Sequence, residues 1–66
     1  MGKIRRGGYL FLWWIGDHPP RHVHVFDAGG KLLGRVTVPG YEPLDAWKPP
    51  RKVVGILQSL HKEGRL

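Results

Sequence analysis

The run His18-Pro19-Pro20-Arg21-His22-Val23-His24-Val25-Phe26 constrains the fold more than any other stretch of this sequence. Two consecutive prolines remove backbone donors and bias the residue before them towards an extended conformation, so no helix passes through this point. Beyond them, imidazoles alternate with valines. Successive side chains of a strand point to opposite faces, which places His22, His24 and Phe26 on one side and Val23 and Val25 on the other. One side is apolar and needs cover. The other carries two imidazoles a single pleat repeat apart.

The remaining elements follow from similar cues. Gly7-Gly8 opens an aromatic and branched run that reads as a strand over residues 9–15. Trp13 and Trp14 are adjacent, so they take opposite faces. A second strand covers residues 21–27, Ala28-Gly29-Gly30 supplies a hairpin turn, and a third strand covers residues 31–38. In that third strand Leu32, Gly34, Val36 and Val38 share one face, and Leu33, Arg35 and Thr37 the other. Pro39-Gly40 ends it, and residues 41–48 form an irregular crossing segment in which Trp47 serves the core or covers a sheet edge. Val53, Ile56, Leu57 and Leu60 recur at i, i+3, i+4 and i+7, which predicts a helix over residues 49–63 closed by Gly64. That stripe needs a sheet to cover, and the faces bearing Val23, Val25, Leu32, Val36 and Val38 provide one. The expected architecture is α+β: a three-stranded antiparallel meander packed on one C-terminal helix, forming a single domain over residues 1–66.

A chain of 66 residues buries only about 60% of the surface that its unfolded form exposes, so its core is small. Without cysteine, disulfide staples are excluded. Oligomerisation (a homodimer, for instance), a partner protein or a metal would be the usual supplement. The lack of cysteine fits a reducing compartment, and a cytoplasmic location is expected. Eleven Lys and Arg against five Asp and Glu give a formal charge of +6, shared evenly between the two halves of the chain. Such a field favours polyanions, either nucleic acid or an acidic protein. Lys3, Arg5 and Arg6 before the apolar run mimic a signal peptide. The run is short and aromatic, however, and it is followed by Asp17 and two prolines with no small-residue cleavage site. It is also too short to span a bilayer, so no membrane partner is expected.

A single helix covers one side of the sheet. His22, His24, Phe26, Arg35 and Thr37 then lie on the side it leaves open, joined by one tryptophan, for which Trp13 is the candidate. Three readings of this face stay open beside a bland one, in which histidines simply tolerate a half-wet strand. The first is metal-independent RNA cleavage, with His22 and His24 as general base and acid and Arg21 or Arg35 steadying the developing charge. The second is a metal site, with His22 and His24 supplemented by His18 or Asp17; His-x-His alone is a weak signal for it, and no metal or other cofactor is assigned. The third is plain binding of RNA or protein, with His18, Arg21, Phe26 and Trp13 as contacts. Arg51 and Lys52 lie in the first helical turn, where the dipole disfavours cations, so they are either kept for an external anion or solvated. His61 in the last turn complements the dipole.

Gly16-Asp17-His18-Pro19-Pro20-Arg21-His22-Val23-His24-Val25, followed by a glycine hairpin and a short strand, resembles a widespread family of small prokaryotic proteins of unknown function. Its hallmark is a D-H-x-P-P-H-x-H-like run after an aromatic first strand. The resemblance extends to Glu42-Pro43-Leu44, Pro50-Arg51 and His61-Lys62-Glu63. Members are commonly encoded beside a second small protein, as in toxin–antitoxin pairs. The resemblance therefore implies a toxin-like or partner-bound protein, with His22 and His24 at the positions of the family's histidines and a cognate small acidic protein as partner. Arg21, set between the prolines and His22, departs from the family's run, and the chain ends soon after the helix where relatives run on.

Overall fold

A computed structural model describes residues 2–14, 21–38 and 40–66. Four strands, β1 (Gly2–Arg6), β2 (Tyr9–Trp13), β3 (His22–Phe26) and β4 (Leu32–Thr37), form one antiparallel sheet in sequential order, followed by helix α1 (Arg51–Lys62). The α+β class and the C-terminal helix agree with the sequence reading. The strand count does not, because β1 precedes the three expected strands. Gly2-Lys3-Ile4-Arg5-Arg6 carries one large apolar residue and reads as polar, yet its exposure alternates as a strand's should, with Lys3 and Arg5 out. Gly7 and Gly8, expected to open a strand, are the two-residue turn of a β1–β2 hairpin, with φ of 65° and 86°. Positive φ at both central positions matches the right-handed twist of the flanking strands, which is why Gly-Gly is suited there.

The parity expected for β3 holds. Val23 and Val25 are fully buried, together with Phe11, Val36, Val53, Leu57 and Leu60, and Val38 joins the same cluster. The helix meets this face through Val53, Leu57 and Leu60. Each Å² of such apolar surface taken out of water stabilises the fold by about 25 cal/mol, which makes this layer the main source of stability in so small a chain. In β4 the expectation fails at one end. Leu32 is half exposed, whereas Leu33 packs against the core. A register shift between Val25 and Phe26 pairs Val25 with Gly34 and Phe26 with Leu32, so the simple alternation does not carry through the first residues of β4.

The helix is shorter than expected at both ends. Pro50, with ψ of 150°, stands outside it as the N-terminal cap, and its carbonyl accepts from the Val53 and Val54 amides at 3.0 and 3.2 Å. At the other end, Gly64 N–H donates to the His61 carbonyl and Arg65 N–H to that of Leu60, both at 3.0 Å, which satisfies two carbonyls of the last turn. Glu63 binds the end of the helix to β1 through Arg6, with Nη1 to Oε2 at 2.8 Å, and also accepts from Arg65 Nε at 3.1 Å.

Trp47 fills the gap that the helix leaves beside β4. It packs against the core, and its indole N–H donates to the Arg35 carbonyl at 3.1 Å. It lies so close to Gly34 that a Cβ there would fall on the indole ring. Gly34→Ala is therefore expected to lower the stability of the domain by about 1–3 kcal/mol, measured as a shifted urea midpoint with unchanged slope. Unchanged stability would show that Trp47 does not seal this part of the core.

Candidate functional site

The face away from the helix is built from cross-strand rows. Lys3 pairs with Leu12, Leu12 with His24, and His24 with Arg35. The next row runs Arg5, Leu10, Phe26 and Leu32, and His22 pairs with Thr37. Leu10, Leu12, His24 and Phe26 are each half-buried, and Trp14, just past β2, is 40% exposed. Among the described residues no helix lies on this side.

Three rings stack along the face. The Trp14 indole meets the His24 imidazole edge-on, with centroids 4.8 Å apart and planes at 86°, and the His24 ring lies 5.1 Å from that of His22. Edge-to-face packing places the positive rim of one ring against the negative face of the other, which favours this geometry over a direct sandwich. His22 is the more enclosed of the two histidines, at 9% exposure. Both are on the open face by parity, but they are not equally accessible.

Arg35, the other candidate catalytic residue, is gripped by Asp45. Its Nε and Nη2 donate to Oδ2 and Oδ1 at 3.2 and 2.9 Å, and its backbone N–H donates to Oδ2 at 3.0 Å. This two-pronged hydrogen bond holds the Asp45 carboxyl below the ordinary carboxylate range, and the nearby charge of His24 acts in the same direction. The guanidinium is thus fixed in direction beside His24, with part of its charge already answered.

The remaining candidates divide between the two sides. Phe26 lies on the open face between Leu10 and Leu32. Arg21 is exposed at the start of β3, where its carbonyl accepts from the Val38 amide at 3.0 Å. Trp13 belongs to the helix side and packs against the core, so Trp14, not Trp13, is the tryptophan of the open face. Adjacent tryptophans in an all-apolar strand give no sign of which faces in. Arg51 and Lys52 are exposed on the helix, in the opposite layer, and do not converge with the histidines. His61 is likewise on the helix. His18 and Asp17 lie outside the described residues, and the metal reading depends on them: among the described residues no group of three His, Cys, Asp or Glu is placed to hold a metal ion. Sequence reasoning also missed Asp45, which reaches Arg35 from the irregular segment and has no motif to announce it.

Among the described residues no helix is long and apolar enough to cross a membrane. No family model matches the chain, and no curated protein and no solved structure was found to match it.

The lowered carboxyl of Asp45 has a consequence for acid stability. A carboxylate whose folded-state value is depressed stabilises the fold fully above its unfolded value, about 4, and that contribution is lost as pH falls through the folded value below it. Asp45→Asn is expected to remove this part of the acid response, so the thermal midpoint of the variant should fall less steeply below about pH 4 than that of wild type. Parallel curves would show that the Arg35–Asp45 pair does not form in solution.

Proposed function

We propose that this protein binds single-stranded RNA on the open face of its sheet. The observation that carries the reading is the exposed indole of Trp14 set edge-on against His24, with Phe26 on the same face and Arg35 fixed beside His24. Splayed bases stack on aromatic and imidazole rings regardless of sequence, and cationic side chains meet the phosphates between them. The net charge of +6 supplies the long-range attraction. Stacked strands of a duplex offer no free base faces, so single strands are the preferred form. The reading includes a cytoplasmic location and, through the resemblance of the Pro-Pro/His-x-His run, a role as the toxin-like member of a paired system whose cognate is a small acidic protein.

A second reading, metal-independent ribonuclease activity, draws on the imidazole pair. Rings 5.1 Å apart supply a base and an acid on one strand. Against it stand the enclosure of His22 and the engagement of Arg35 by Asp45, which leave His24 as the more accessible imidazole. Binding needs neither obstacle removed, and it is the reading we adopt.

With a short fluorescent oligouridine as probe, Trp14→Ala is expected to weaken binding by about 1–3 kcal/mol, roughly 5- to 150-fold, the usual worth of one stacked base. The wild-type affinity should also fall with rising salt as phosphate contacts release counterions. Unchanged affinity in the variant, or an affinity indifferent to salt, would refute the reading. Cleavage of the same oligonucleotide in the presence of chelator, abolished by His24→Ala, would move the conclusion to the enzyme. Intact RNA would remove that alternative.

A further inference from the structure

The two edges of the sheet differ. Along β4, residues 42–44 run back beside the strand: the Thr37 amide donates to the Glu42 carbonyl at 2.8 Å, the Leu44 amide donates to that of Arg35 at 3.0 Å, and Val36 bridges to Pro43. Beside β1, among the described residues, no strand pairs on the outer side. An antiparallel ladder engages the N–H and C=O of alternate residues on each side. Arg6 and Tyr9 flank the two-residue turn and form its first bonded pair, so Ile4 and Gly2 also turn their backbone groups towards β2. The N–H and C=O groups of Lys3 and Arg5 then point outwards. The side chains of the same two residues are exposed, and among the described residues neither is in an ion pair, whereas Arg6 is held by Glu63.

We propose that the outer edge of β1 is a docking edge for an extended acidic polypeptide segment, which adds to the sheet as a further strand and sets its carboxylates against Lys3 and Arg5. Open backbone donors and acceptors select a polypeptide, since an RNA strand has no matching ladder of N–H and C=O groups. Charge selects its chemistry. Two β1 strands from separate copies, paired antiparallel about Ile4, would set Lys3 directly opposite Arg5 in both directions. Like charges opposite one another destabilise a strand pair, and the charge of +6 on each chain adds to the repulsion. Cations on an edge strand commonly protect it from self-association. Facing an acidic strand, the same cations become attractive and set its register. The side chains of Lys3 and Arg5 share the open face with the rings of Trp14, His24 and His22, but the backbone groups proposed to dock the segment lie on the outer edge, so amide protection at that edge and base stacking on the rings are read separately.

Amide hydrogen exchange on the full chain, read by nuclear magnetic resonance, tests it. The probes are a short peptide of alternating valine and glutamate and its valine–lysine counterpart. The glutamate peptide is expected to slow exchange at Lys3 and Arg5 by about tenfold or more while leaving Ile4, already bonded to β2, little changed. Arg5→Pro removes an outward donor without breaking the β1–β2 ladder, because proline is accepted where the edge N–H faces away from the sheet. It should weaken the peptide by about tenfold or more, which a preserved Ile4–Phe11 pairing would separate from unfolding. The double variant Lys3→Glu/Arg5→Glu should instead prefer the lysine peptide. Four results would overturn the proposal: no protection at millimolar peptide, equal binding of both peptides by the wild type, protection that grows with protein concentration alone, or the same protection produced by oligouridine.

Discussion

The two-residue alternation of β3 is the constraint on which the rest of this structure depends. Val23 and Val25 go under the helix because an apolar side chain gains about 1.5–3 kcal/mol on full burial, and the Val53, Leu57 and Leu60 stripe has no other surface to cover. Once those valines turn inwards, the pleat sends His22, His24 and Phe26 the other way. A slip of one residue would reverse every one of these assignments, burying imidazoles beneath α1 and exposing valines. The cost of that reversal fixes the register, and the register creates the open face.

Polar structure follows the same division. On the helix side, hydrogen bonds close the layer: Trp47 on the Arg35 carbonyl, Arg65 and Gly64 on the last helical turn, and Glu63 on Arg6. On the open side, Arg35 and Asp45 hold each other in a two-pronged grip next to the histidine ladder. The residue that presents a guanidinium outwards thus also anchors the indole that seals the core, through its own backbone carbonyl. Packing and site share one residue of β4, and a change that moves its backbone would be felt on both faces.

Much of this was legible in the sequence because β3 and α1 carry unambiguous periods. The histidine–valine alternation gave the face of each residue, and the four-residue helical stripe identified its own cover. The first hairpin was less plain. Gly7-Gly8 is a strong turn signal, but Ile4 alone among Lys and Arg does not look like a strand; it becomes one because β2 offers an edge to pair with and the core has room for Ile4. The bulge near Phe26 moved Leu32 out and Leu33 in, a displacement that alternation cannot foresee. Trp14 was missed in favour of Trp13 since both neighbours of Phe11 on the strand are apolar and only the three-dimensional register separates them. Asp45 was invisible because its role depends on a tertiary approach from an irregular segment.

The most direct check on this account is a nuclear Overhauser spectrum of the folded chain. The methyl groups of Val23 and Val25 should show contacts with those of Leu57 and Leu60, while the ring protons of His24 should show contacts with the Trp14 indole and none with the helix. Contacts from the His24 ring to Leu57 or Leu60, with the valine methyls silent towards the helix, would contradict it.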